Sequence, residues 1–165
     1  MNAIPTLPGL LQRFFTERLL TQRQVSAHTM ASYRDTFRLL LQYAQRERHK
    51  CPTDLDLADL DADLISAFLT SLEERRRCTA RTRNARLTAV RSFFRYAAYQ
   101  EPALAAHIQR VLAIPYKRQA RPLVDFLSHI EIEALLAAPD RTTWMGRRDH
   151  ALLVLAVQTG LRLSE

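Results

Sequence analysis

The stretch TARTRNARLTAVRSFFRYAAY, residues 79–99, decides the fold because it is amphipathic at helical spacing. Leu87, Val90, Phe94 and Ala97 recur three or four positions apart, so they share one side of a helix that begins at about Thr79. One side of this helix can therefore be buried while the other meets solvent or a ligand. The stretch predicts a long amphipathic helix within an all-α fold.

The composition and six further patterns extend this prediction to the rest of the chain. Apolar residues make up 47% of the 165 residues, charged residues make up 25%, and there are only 3 glycines, which favours a globular helical protein. The other helices are predicted from about Leu7 to Gln24, from Thr29 as N-cap, from Asp61 as N-cap, from about Pro102 to Leu112, from Ser128 to about Ala138, and from about Arg147 to Thr159, with Gly160 at the C′ position.

Composition also divides the chain. Residues 114–122 contain two prolines and three cations and lack an apolar period, which is typical of a basic linker. The sequence predicts a helical domain over 1–112, a linker over 113–125, and the beginning of a second domain over 126–165.

The polar side of the 79–99 helix is the strongest functional signal. Residues 75–95 hold eight arginines and no acid, so they contribute +8 to a chain whose net charge is +7. Such a concentration of charge, without acids for i,i+4 pairing, indicates a phosphate backbone as partner, although a solvated helix face is the alternative. Arginine can bind phosphates or guanine edges in a bidentate manner, and asparagine can read adenine. The candidate DNA-contact residues are Arg81, Arg83, Asn84, Thr88, Arg91 and Arg95, with Lys117, Arg118 and Arg121 of the linker.

Several other kinds of site are excluded by spacing. The aspartates between 54 and 63 lack the glycine and the terminal glutamate of a calcium loop, and the five histidines form no zinc pattern. Glycine-rich phosphate loops are absent, and the longest apolar run, 151–157, is too short to span a membrane. Cys51 and Cys78 are predicted to be reduced thiols of a cytoplasmic protein. We expect no metal, no cofactor, no small-molecule substrate and no membrane partner.

The end of the sequence carries a resemblance to a known family. The segment Thr159-Gly160-Leu161-Arg162-Leu163-Ser164-Glu165, after an apolar helix, resembles the first catalytic-arginine motif of the tyrosine recombinases, or phage-type integrases. Thr29 with Tyr33, and residues 82–84 with 91–96, are similar to the helical core-binding domain of that family. The resemblance covers nearly the whole chain.

This resemblance implies a SAM-like core-binding domain of four or five helices that grips duplex DNA, followed by the first helices of a truncated catalytic domain. It implies that Arg162 is the first catalytic arginine and that Glu165 supports the active site. The chemistry implied is DNA strand breakage and rejoining through a phosphotyrosine, without a cofactor. The full-length protein is expected to act as a tetramer on paired recombination sites, associated with the bacterial nucleoid.

The family's lysine, His-x-x-Arg and nucleophilic tyrosine all follow the first arginine, and this sequence ends three residues after Arg162. The sequence His107-x-x-Arg110 lies upstream in the helical domain, and all five tyrosines also precede Arg162, so neither substitutes for the missing groups. We therefore expect the chain alone to be inactive as an enzyme. A stand-alone DNA-binding module or regulator, and a helical protein-interaction domain, remain alternatives.

Overall fold

The structure, a computed structural model, describes residues 6–119 and 126–160, and every regular element in these ranges is a helix. The all-α prediction is therefore confirmed. The elements are α1 (Leu7–Arg13), a π-helical segment (Phe14–Gln22), α2 (Ala27–Arg48), a short 3-10 turn (Leu57–Asp59), α3 (Ala62–Arg76), α4 (Ala80–Gln100), a second 3-10 turn (Pro102–Leu104), α5 (Ala105–Leu112), α6 (His129–Ala137) and α7 (Trp144–Thr159).

Side-chain caps set most helix starts. The hydroxyl of Thr79 accepts from the Thr82 N–H, a carboxylate oxygen of Asp61 accepts from the Leu64 N–H, and Ser128 accepts from the Glu131 N–H. The predicted caps at Asp61 and Ser128 are confirmed, and Thr79 caps the helix that was predicted to begin near it. Gly160 ends α7 with φ of +64°, also as predicted, because this left-handed conformation suits a residue without a side chain.

Two predicted helix starts are wrong. Helix α2 is capped by Ser26, whose Oγ accepts from the Thr29 N–H at 3.2 Å, so Thr29 lies inside the first turn instead of capping it. Helix α7 begins at Trp144, where Thr143 accepts from the Gly146 N–H, and not near Arg147. In both cases a hydroxyl residue further upstream, Ser26 or Thr143, is available as the cap, and the helix begins about one turn earlier than predicted.

The first predicted helix is interrupted by a change of helix type. After Arg13 the backbone continues as a π-helix, and the Arg23 N–H donates to the carbonyl oxygen of Arg18, five residues back, at 3.1 Å. Phe14 and Leu19, also five apart, are both fully buried. In an α-helix, residues five apart point about 140° away from each other, whereas i→i+5 bonding brings them closer to one side. The wider turn thus lets both side chains reach the core.

The core of the first helical unit is built around the ring of Phe14. Its centroid lies 5.5 Å from that of Phe93, 6.2 Å from Phe37 and 5.7 Å from Tyr96. The contacts with Phe93 and Phe37 are edge-to-face, the arrangement that aromatic quadrupoles favour. These rings come from the π-helix, α2 and α4, so one cluster joins three elements. Helix α4 also packs against α3 and α5 and is central to the unit.

The chain divides into two compact units, residues 1–120 and 121–165, and each is described separately. In the described part of the second unit, α6 packs against α7. Gly146 in α7 is required there, because a Cβ at this position would lie 1.9 Å from the carbonyl oxygen of Asp140. Several large apolar side chains of α7, including Leu152 and Leu155, are exposed. The division predicted from the sequence, with a separate linker over 113–125, stays a prediction.

Replacing Phe14 with alanine should reduce the free energy of unfolding by about 3–5 kcal/mol, because a fully buried ring leaves a cavity at the junction of three elements. Phe15→Ala is the matched control and should cost about 1–2 kcal/mol, since Phe15 is only partly buried. Urea denaturation followed by circular dichroism measures both. Equal losses would mean that Phe14 does not occupy the centre of the core.

Candidate nucleic-acid interface

The polar side of α4 is only partly open to solvent. Arg81 and Arg95, near its two ends, are exposed, and so is Thr88 in the middle. Arg91 is half-buried and Asn84 is buried, with 8% of its surface exposed. The middle of this side is therefore less open than its ends, and the DNA-contact role of these residues stays a prediction.

Asn84 is occupied by a contact within the fold. Its side-chain N–H donates to the carbonyl oxygen of Lys117 at 2.7 Å, and its side-chain oxygen accepts from the Lys117 N–H at 2.9 Å. Both main-chain groups of Lys117 are thus satisfied by one amide, which removes the cost of leaving them unpaired. This geometry gives Asn84 a structural role, because its amide faces the protein chain and not solvent.

The residues before Lys117 also lie against α4, and we call residues 114–117 the docked segment. Ile114 is buried, and the Tyr116 hydroxyl lies 3.2 Å from Oγ1 of Thr88. The guanidinium of Arg91 lies over the Tyr116 ring, 4.9 Å from its centroid, and Nε of Arg91 is buried without a hydrogen-bond partner among the described residues. The docked segment therefore covers the middle of the α4 polar side.

Two cations of the predicted interface share an acidic partner from another helix. Nζ of Lys117 lies 2.8 Å from a carboxylate oxygen of Glu73 in α3, and Nε of Arg83 lies 3.7 Å from the other oxygen. No acidic residue lies on α4 between its arginines, but in the folded protein Glu73 of α3 lies beside them. Lys117 and Arg83 are partly neutralised within the fold.

Arg86 forms a similar pair with α2. Its Nη2 lies 2.8 Å from a carboxylate oxygen of Asp35, and 17% of the arginine side chain is exposed. Hydrogen bonds from Arg38, and then from Arg86, hold the pKa of Asp35 below its ordinary value of 3.8, against the opposing effect of burial. The pair fixes the register of α2 against α4 beside the aromatic cluster.

The cations that remain available lie mainly around the α3–α4 turn. Arg75, Arg76 and Arg77 are exposed at the end of α3, and Arg81 is exposed in the first turn of α4. Within the described ranges none of these four has an ion-pair partner, and we call them the basic turn. The N-terminus of α4 lies within it and adds the positive end of a helix dipole. The charges of Arg75–Arg77 were counted from the sequence, but these residues are not among the predicted contact residues. The structure identifies them, because all three are exposed at the C-terminal end of α3.

The remaining predicted residues are placed as follows. Arg118 is exposed and, within 6–119 and 126–160, has no ion-pair partner. Arg121 of the predicted linker, and the predicted catalytic residues Arg162 and Glu165, lie outside the described residues.

Histidine and aspartate side chains serve the fold. Nε2 of His107 lies 3.1 Å from the carbonyl oxygen of Leu57 and its ring packs near Phe94, which gives this histidine a structural role in α5. Asp59 pairs with Lys50, and Asp61 pairs with Arg48 in addition to capping α3. Where the structure describes the chain, no group of three potential metal ligands comes together. No helix in those ranges is long and apolar enough to cross a membrane.

Comparison with known proteins identifies the family. Residues 12–101 match the phage integrase N-terminal SAM-like domain, and the chain belongs to this family. It is 60% identical over its whole length to 50% of the "Putative integrase/recombinase y4rC" of Sinorhizobium fredii, and 46% identical over 96% of its length to 57% of y4rD from the same organism. It is also 32% identical, over 98% of its length, to 51% of the tyrosine recombinase XerD of Pseudomonas putida. The chain thus spans about half the length of these curated relatives. No solved structure matches it significantly.

Asp35→Asn should reduce the free energy of unfolding by about 1–2 kcal/mol at pH 7, because it leaves Arg86 without its countercharge; 39% exposure of Asp35 keeps the loss below that of a fully buried pair. Since the pKa of Asp35 is lowered by folding, its stabilisation is present above 3.8 and is lost as the pH falls through the lower folded value. Urea titrations should show the difference between the variant and the original protein shrinking below about pH 3.8.

The matched control for this charge change is Asp54→Asn, because Asp54 is exposed and its described side-chain contact is with the neighbouring Thr53. This variant should change the free energy of unfolding little, both at pH 7 and below about pH 3.8. If the two variants behave alike, the Asp35–Arg86 pair does not stabilise the fold.

Asn84→Ala should release the docked segment, because it removes both hydrogen bonds to the main chain of Lys117. At about 1 kcal/mol for each bond, protection of the Lys117 amide against hydrogen exchange should fall roughly tenfold or more. Thr88→Val is the control, since it removes the Tyr116 hydroxyl contact and leaves the Asn84 bonds intact. Unchanged protection in Asn84→Ala would contradict the structural role of Asn84.

Proposed function

We propose that the first helical unit binds duplex DNA through the basic turn, as the core-binding part of a tyrosine-type recombinase. The observation that carries this proposal is the group of exposed arginines at the α3–α4 turn, which have no acidic partner among the described residues. The names of the relatives, integrase/recombinase and tyrosine recombinase, support DNA as the partner.

Arginine suits this task because its guanidinium is always charged and donates in a planar fork that matches phosphate oxygens. Four such side chains next to a helix N-terminus would replace counterions along one backbone segment. Arg95 at the far end of α4 and Arg118 after the docked segment are exposed cations that extend the proposed surface. Arg83, Asn84, Thr88, Arg91 and Lys117 would support it indirectly, by holding α3, α4 and the docked segment together.

The activity of the whole recombinase is a further part of the proposal. In a protein of the relatives' full length, Arg162 would bind non-bridging oxygens of the scissile phosphate while a tyrosine attacks it, and Glu165 would support the site. Such a reaction exchanges a phosphodiester bond of the DNA for a phosphotyrosine bond and releases a DNA hydroxyl. Attack of a DNA hydroxyl on the phosphotyrosine then forms a new phosphodiester bond and frees the tyrosine, so no cofactor is needed. Arg121 would contribute to backbone contacts from the linker. A tetramer on paired sites would bring together the four strands that are exchanged.

The proposal predicts that neutralising the basic turn weakens DNA binding more than removing the same charge elsewhere. The variant Arg75→Gln, Arg76→Gln, Arg81→Gln should lose about tenfold or more in affinity at moderate salt, and the slope of log K against log salt should become less steep by about 2–3. Fluorescence anisotropy with a labelled duplex between 50 and 200 mM salt measures both quantities.

The charge-matched control is Arg46→Gln, Arg110→Gln, Arg141→Gln, three exposed arginines that do not belong to the basic turn. An equal loss in this control would show that binding follows net charge and would overturn the assignment to the basic turn. The absence of salt-dependent affinity in the unmodified protein would overturn DNA binding itself.

A further inference from the structure

A cleft of about 300 Å³ lies between the π-helical segment, α4 and α5. Its lining includes Arg18 from the π-helical segment, Arg23 directly after that segment, and Arg95 from α4. Neither aspartate nor glutamate is among the described residues that line it. The volume is at the small end of the range for ligand-binding pockets.

The three arginines of this cleft lack acidic partners. Nη1 of Arg18 donates to the neutral side-chain oxygen of Gln22 at 2.8 Å. Arg23 and Arg95 are exposed and, in the part of the chain that the structure describes, form no ion pair. This differs from Arg83, Arg86 and Lys117, whose charges are balanced by Glu73 and Asp35. Like charges around one cleft repel one another, and a bound anion would relieve that repulsion.

Tyr96 provides an independent indication of a ligand. Only 8% of its surface is exposed, its ring packs 5.7 Å from that of Phe14, and it lines the cleft. Its hydroxyl is buried and has no hydrogen-bond partner among the described residues. A buried donor left unpaired destabilises the protein, and buried hydroxyls are therefore normally satisfied. Water does not reach this hydroxyl in the structure, so a ligand oxygen in the cleft would satisfy it after a shift of the side chains that cover it.

We propose that this cleft binds a phosphate group of the DNA backbone, with the Tyr96 hydroxyl as a neutral donor and the three arginines as charged donors. This rests on the proposed function. DNA is favoured as the source because Ser92, Arg95 and Tyr99 continue the same side of α4 that carries Arg81, at spacings of three and four residues. Tyr99, 81% exposed, places an aromatic ring at the cleft, where it can contact the adjoining sugar.

The test separates the hydroxyl from the charges. Tyr96→Phe should weaken binding of a labelled duplex about tenfold without changing the salt slope, because the lost donor is neutral. The same variant should be at least as stable towards urea as the original protein, since it removes an unpaired buried hydroxyl. A purely structural tyrosine would not combine lower affinity with undiminished stability. Tyr43→Phe, a buried tyrosine outside the cleft, should leave affinity unchanged.

The charged donors have their own signature. Arg23→Gln should make the salt slope less steep by about 0.9, the value for one phosphate contact, whereas Arg46→Gln should not change it. If both Tyr96→Phe and Arg23→Gln bind DNA normally while the basic-turn variant loses affinity, the cleft proposal is overturned and the proposed function stands.

Inorganic phosphate tests the site independently of DNA. Its titration should shift the NMR signals of the Tyr96 ring in the unmodified protein, and Arg23→Gln should weaken that shift. Absence of the shift would overturn the anion site, even if the protein binds DNA. A mononucleotide that binds the cleft more tightly than the duplex does would overturn DNA as the source of the phosphate.

Discussion

The packing of α4 against three other helices and the π-helical segment is the constraint on which the first unit depends. The ring of Phe93 on α4 meets Phe14 and Phe37 at centroid distances of 5.5 and 5.3 Å, so the helix cannot shift without opening the aromatic cluster. The positions of the side chains on the polar side of α4 are set by this packing. Arg81, Asn84, Arg91 and Arg95 lie where they do because Leu87, Val90 and Phe94 are fully buried.

The arginines of residues 75–95 include two groups that the charge pattern of the sequence does not separate. Arg83 and Arg86 are shielded and paired with carboxylates of neighbouring helices, where they stabilise the arrangement of α2, α3 and α4. Arg75, Arg76 and Arg81 are exposed, and within the described ranges have no such partner. Screening by salt weakens interactions of exposed charges far more than those of shielded pairs. The same ionic strength that dissociates a nucleic acid should therefore leave the helical packing in place.

Local patterns in the sequence predicted most of the fold. The helix start at Thr79 and the predicted caps at Asp61 and Ser128 depend on a hydrogen bond three residues away, and the apolar spacing of α4 depends only on helix geometry. The π-helical segment could not be predicted in this way, because it reflects how Phe14 and Leu19 fit among side chains from distant parts of the chain. The burial of Asn84 was missed for the same reason, since its partner Lys117 lies 33 residues away. The absence of acids along α4 was read correctly, but Asp35 and Glu73 approach it only in the folded chain.

The docked segment has a mechanical consequence. Because Asn84 holds both main-chain groups of Lys117, the end of the first unit is fastened to α4 and not only to the preceding helix α5. A pull on the chain beyond Lys117 therefore reaches the first half of α4 directly, through two hydrogen bonds and the stacked Arg91–Tyr116 pair. Tension from whatever follows residue 117 is thus transmitted to the helix that begins at the basic turn, and the core lies behind it as a rigid support.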